Sequence, residues 1–145
     1  GLFDKVKGKR NIALVGFTTD GDVFGGFYSV AVTVQDKEYY DPGIFVFSFE
    51  SHGRCMTPQR FVGKAGLKQK AFVRFWENGN YGFVCFWVDG VDARFYLGDE
   101  RSASYCRDLS RGFDGIHDIT LTGQNGTWDK GPYHQCTRLV AIQLQ

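Results

Sequence analysis

Apolar and polar residues alternate with a period of two over most of the chain, which is the signature of half-buried strands. Asn11 to Phe17 predicts a first strand, ending at Thr19-Asp20-Gly21, where Asp-Gly tolerates the positive φ of a tight hairpin turn. A second strand passes through Phe24-Gly25-Gly26-Phe27 and continues to about Val34. Two glycines inside a strand mark a bulge or a close backbone approach. Gln35 to Gly43 reads as a charged, tyrosine-bearing loop closed by Asp41-Pro42-Gly43. In Ile44-Phe45-Val46-Phe47-Ser48-Phe49, the residues Phe45, Phe47 and Phe49 share one face and Ile44, Val46 and Ser48 the other. Both faces are largely apolar, which predicts a central strand covered on both sides.

The pattern weakens and then resumes. Ser51 to Gly66 is irregular around Pro58, with Phe61-Val62 as a short strand. Ala71 to Trp76 is a strand that Asn78-Gly79 turns into Gly82 to Val88, and Asp89-Gly90 turns the chain again into Ala93 to Leu97. Gly98 to Gly131 is polar, with Ile119 to Leu121 its only segment suited to pairing, and Thr137 to Leu144 closes the chain. Only the first residues have helical spacing: Leu2, Phe3 and Val6 share a side opposite lysines, up to a stop near Gly8. The whole predicts a mainly β (α+β) protein: a two-sheet antiparallel β-sandwich with an N-terminal helix and minor helical or loop segments.

A chain of 145 residues, 17% of them aromatic, forms one domain with a thick phenylalanine-rich core. The net charge of +1 provides no global field to attract nucleic acid or an acidic membrane. No apolar run reaches membrane-spanning length, so membrane insertion is not expected. Cys55, Cys85, Cys106 and Cys136 are widely separated. Two disulfides would have three possible connectivities. Reduced thiols, with Cys85 a small buried one, are the preferred reading, and with them an intracellular, cytoplasmic location. Asn125-Gly126-Thr127 is a glycosylation sequon that matters only in a secreted protein.

Candidate chemistry is sparse. Asp20-Gly21-Asp22 and Asp89-Gly90-Val91-Asp92 lack the remaining spacing of a calcium loop and read as turns. His52-x-x-Cys55 and His134-x-Cys136 could supply four zinc ligands only if the fold brought them together. No nucleophile elbow, catalytic-cysteine signature or phosphate-cradling loop is present, and Asp99-Glu100 reads as a solvated pair. Neither catalysis nor a cofactor or metal is therefore expected. Two basic clusters, Lys5, Lys7, Lys9 and Arg10, then Lys64, Lys68 and Lys70, leave a nucleic-acid-binding or regulatory module as the alternative. Exposed Tyr39, Tyr40 or Trp128 would suit a lectin-like sandwich.

The order of these pieces has a familiar look. The turn, the run Val23-Phe24-Gly25-Gly26-Phe27-Tyr28, a variable loop and Ile44-Phe45-Val46-Phe47-Ser48-Phe49 together resemble the TLDc domain family. The later Gly-Asn-type turn, the Gly98-Asp99 segment, Ser102-Ala103-Ser104-Tyr105-Cys106 and the closing strand Leu139 to Leu144 follow in the family's order. The likeness covers most of the chain and is clearest in its first third. It implies a single TLDc-like domain over residues 1–145, a fragment lacking helical residues that lie upstream in the family. It further implies a non-catalytic protein-interaction domain with a role in oxidative-stress resistance, several members acting by binding the vacuolar proton-pumping ATPase. Gly25, Gly26, Phe27, Phe45, Phe47 and Phe49 would be the structural motif. Cys106 is the candidate redox thiol, which would need exposure and a lowered pKa, with Arg101 and Arg107 as possible sources of that shift.

Overall fold

The computed structural model describes residues 1–77, 83–98 and 104–145. The expected turn at Asn78-Gly79, the strand start at Gly82, the Asp99-Glu100 pair, Arg101, Ser102 and Ala103 lie outside the described residues.

The fold is a β-sandwich of two antiparallel five-stranded sheets. The first contains β1 (Ile12–Thr18), β2 (Val23–Tyr28), β4 (Phe45–Glu50), β5 (Gln59–Val62) and β10 (Cys136–Gln143), in the order β10-β1-β2-β4-β5. The second contains β3 (Tyr39–Tyr40), β6 (Ala71–Phe75), β7 (Val84–Val88), β8 (Ala93–Leu97) and β9 (Cys106–Arg107), in the order β3-β6-β7-β8-β9. A short helix α1 (Leu2–Val6) buries Phe3 and Val6, and Gly8 at φ +76° ends the turn that follows it.

Period-two alternation assigns the faces. Ile12 and Leu14 of β1, Phe24 and Tyr28 of β2, and Val46 of β4 point into the main core. There they meet Phe75, Phe86 and Phe95 of the other sheet. Phe24 and Phe95 pack edge to face with centroids 5.9 Å apart, Tyr28 packs on Phe75 at 5.5 Å, and Phe86 stacks on Phe95 at 6.0 Å. The glycine pair on β2 marks a close approach and not a bulge. Register with β1 runs unbroken from Val23 to Phe27, and the shift in pairing with β4 falls between Val23 and Phe24.

Several expectations differ from the structure. The expected loop from Gln35 to Gly43 contains β3, and the polar segment from Gly98 to Gly131 contains β9, which pairs with β8. The second strand stops at Tyr28 and not near Val34, because the Ser29 and Val30 amides turn to the carboxylate of Asp41. Ile119 to Leu121 forms no strand; Leu121 anchors its loop in the core while Ile119 stays exposed. β4 is flanked on both sides within its sheet but only partly covered on its outer face: Ile44, Val46 and Ser48 are buried on the inner face, whereas on the outer face Phe47 is buried, Phe45 half-buried and Phe49 52% exposed.

Candidate interaction surface

On the outer face of the first sheet Phe49, Ile142 and Leu144 are about half exposed, beside a second apolar cluster whose centre is itself buried. Ala13, Val15 and Phe47 form a cluster with Phe17, Val23, Phe27 and Phe45, all drawn from β1, β2 and β4. Gly25 makes the centre of this face flat, and the Phe47 ring tip lies 2.5 Å from where a β-carbon of Gly25 would project. Phe27 stacks on Phe45 at 4.6 Å, and Phe47 packs on Phe49 at 5.0 Å. A groove of 320 Å³ runs across the face, bounded by Phe45, Phe47, Phe49, Pro58, Ile142 and Leu144. Guanidinium groups border the aromatics: Arg60 lies 5.4 Å from the Phe45 ring and Arg138 5.6 Å from Phe17. Strand alternation in the sequence puts Phe45, Phe47 and Phe49 on one face, but does not show that Phe17 and Phe27 join them or that Phe49 is exposed.

Two buried carboxylates, at positions where the sequence predicts only turns, brace the loops beside this sheet. Asp41 is fully buried and accepts hydrogen bonds from the Ser29 amide (2.6 Å), the Ser29 hydroxyl (2.7 Å) and the Gly43 amide (2.9 Å). Asp22 binds the Arg54 guanidinium at 2.8 Å and His52 Nδ1 at 2.7 Å through the same oxygen, while Arg54 donates onward to the carbonyls of Thr120 and Leu121. His52 thus belongs to a structural clamp joining three segments. A glycine within two positions, before Asp22 and after Asp41, is the sole sequence signal for either role, and the same signal marks ordinary turns.

None of the four cysteines is in a disulfide, and three of the four are buried. Cys106 is 1% exposed, and burial pushes its thiol up to about 12, with a Thr122 hydrogen bond opposing and Cys136 reinforcing the shift. Arg107 faces away from it, pairing with Asp92 at 3.0 Å. The site thus has neither the exposure nor the lowered pKa that a sensor thiol needs; it is a packed core position. The proposed zinc pairs stay apart in character: His52 pairs with Asp22, Cys55 donates to the Thr57 carbonyl, and His134 and Cys136 are buried. Among the described residues, no three His, Cys, Asp or Glu side chains are grouped to hold an ion.

A polar recess of 190 Å³ opens on the outer face of the second sheet, lined by Glu38, Arg74, Trp76, Cys85, Arg94 and Tyr96 among others. Arg74 stacks over Trp76 at 4.0 Å, and Arg94 donates to the Tyr96 hydroxyl at 3.2 Å. Burial pushes both the Cys85 thiol and the Tyr96 hydroxyl up, so both remain protonated and weak as nucleophiles at neutral pH. Tyr39 turns its hydroxyl to the Thr33 and Val34 amides, while Tyr40 and Trp128 are exposed, at 50% and 60%.

Lys5 and Lys9 of the first basic cluster line a separate groove with Arg138 from the far end of the chain. No described helix is long and apolar enough to cross a membrane. In comparisons with known proteins, the chain matches no family model and no curated protein.

Proposed function

We propose that this chain is a non-catalytic protein-interaction domain of the TLDc type, whose sandwich is a rigid platform for docking. The observation that carries this reading is the aromatic outer face of the first sheet, with its Phe45-Phe47-Phe49 row and an adjoining apolar groove. Contiguous apolar surface rimmed by polar groups is costly to leave in water and marks protein contact sites. The Arg60 and Arg138 guanidiniums at its border are the charged type that such interfaces favour.

The partner to which the TLDc resemblance points is the vacuolar proton-pumping ATPase. A role in oxidative-stress resistance would then act through that partner and not through Cys106, which is packed in the core. The test is capture from native lysate by the full chain, with Phe49→Lys as the surface variant and Gly26→Trp as the unfolded control. Enrichment of proton-ATPase subunits by the wild type, lost with Phe49→Lys at unchanged stability, is the expected result. Recovery of nucleic acid that falls steeply with salt would overturn it in favour of the lysine clusters.

A further inference from the structure

Sheet edges need partners, and three of the four here are short. β3 and β9 have two residues each and β5 has four, whereas β10 has eight. β10 pairs with β1 on one side, and no described strand pairs with the other. Leu144 donates its N–H to the Asn11 carbonyl at 2.8 Å, which sets the phase of the ladder. By alternation along the register, Ile142, Val140 and Arg138 turn their backbone groups toward β1. The N–H and C=O groups of Leu139, Ala141 and Gln143 therefore point outward. From Leu139 to Gln143 the strand has no charge, no proline and no break in register, the devices by which proteins blunt an edge.

A groove of 420 Å³ runs along this edge on the α1 side. Leu2, Val6 and Leu139 give it an apolar floor, Lys5 and Lys9 supply cations, and no acidic residue lines it. On the opposite face the edge presents Val140 and Ile142. A strand added here would alternate between a cationic groove and an apolar surface. We propose that the β10 edge captures an extended segment of a partner protein, acidic at the positions facing Lys5 and Lys9 and apolar at the positions between them. This deepens the protein-interaction reading and rests on it: main-chain pairing provides affinity, and the period-two charge pattern provides selectivity.

The probe is a synthetic peptide of about six residues alternating glutamate and valine, matched to a usual strand length, with a lysine–valine peptide as its counterpart. Calorimetric titration should show the acidic peptide binding on the order of tenfold more tightly, with the gap shrinking as salt is added. Amide NMR shifts should centre on Leu139, Ala141 and Gln143. Ala141→Pro removes an outward N–H without touching the bonds to β1 and should cost at least about tenfold in affinity. Lys5→Glu combined with Lys9→Glu changes no backbone group and should invert the preference between the two peptides. Binding of neither peptide, or equal binding of both, overturns the proposal. A dimer by light scattering that Ala141→Pro makes monomeric also overturns it, because a second copy would then occupy the edge. Phe49→Lys should still take the peptide. Proton-ATPase capture that needs Phe49 but ignores Ala141→Pro would remove this inference alone and leave the proposed function standing.

Discussion

Gly26 of β2 lies against the ring of Phe86 on β7, so closely that a β-carbon at position 26 would fall 2.5–2.7 Å from three ring carbons. The ring has nowhere to retreat. Phe86 is fully buried, stacked on Phe95 at 6.0 Å and tilted against Tyr28 at 6.4 Å. The absence of one side chain thus sets how near the two sheets can come. Gly26→Ala should lower the unfolding free energy by roughly 1–3 kcal/mol, the usual cost of overpacking. Gly25→Ala should cost more, because its β-carbon would overlap the Leu14 carbonyl oxygen, a backbone obstacle within the β1–β2 ladder. Urea midpoints at unchanged slope check the order. Equal midpoints for both variants and wild type would mean the sheets can separate without loss.

Asp41 should be among the most sensitive polar positions. It holds the end of β2 to the start of β4 through the Ser29 amide, the Ser29 hydroxyl and the Gly43 amide. Asp41→Ala leaves these donors beside a buried void, at a cost of roughly 3 kcal/mol or more. Asp41→Asn keeps one acceptor oxygen and should fall between. Hydrogen exchange at the Ser29 and Val30 amides should accelerate in the alanine variant well before global unfolding is approached.

The contrast between these two positions explains what the chain made legible. Gly25 and Gly26 are readable as a bulge or a close approach, and only the unbroken register with β1 decides for the second. Ala93 to Leu97 matches β8 residue for residue, because turn signals and alternation agree there. Asp41 was not readable as a buried anchor, because its burial comes from a loop that closes over it and leaves no local pattern. The Asp22–Arg54 pair spans 32 residues and is equally invisible to local rules. The exposure of Phe49 at the end of β4 is illegible for a related reason. Period two tells which residues share a face, but cover over that face depends on elements distant in sequence.

Thiol reactivity should separate Cys55 from the rest. Cys55 is half-buried on an irregular loop, while Cys85, Cys106 and Cys136 are each at or below 1% exposure. Burial also holds Cys106 protonated, at about 12, so even transient access finds little thiolate. A disulfide-exchange reagent at neutral pH should titrate one thiol quickly in the native protein and the other three only after denaturation. Cys55→Ser should abolish the fast phase. A fast phase that survives Cys55→Ser and disappears in Cys106→Ser would restore Cys106 as a redox thiol.

His134 should make the fold sensitive to acid. It is buried between strands, edge-on to Phe24 at 5.3 Å, and its backbone pairs with Ser104 across an isolated bridge. Among the described residues neither ring nitrogen has a hydrogen-bond partner of good geometry, and burial pushes its pKa from 6.5 down to about 4, with the Tyr96 backbone opposing. Between those values the unfolded chain binds a proton that the folded chain refuses. Stability contributed by neutral His134 is therefore complete above pH 6.5, falls as the pH falls, and levels off below about 4. The loss between about pH 7.5 and about pH 4.5 should be roughly 2–3 kcal/mol from this group. Carboxylates add their own acid losses, so the readout is a difference: unfolding free energies at both pH values, for the wild type and for His134→Leu. Leucine keeps the apolar contacts and cannot take a proton, so the variant should lose about 2–3 kcal/mol less than the wild type over this interval. Equal losses would mean that His134 finds an acceptor that stabilises its charged form, and that acid sensitivity arises among the carboxylates instead.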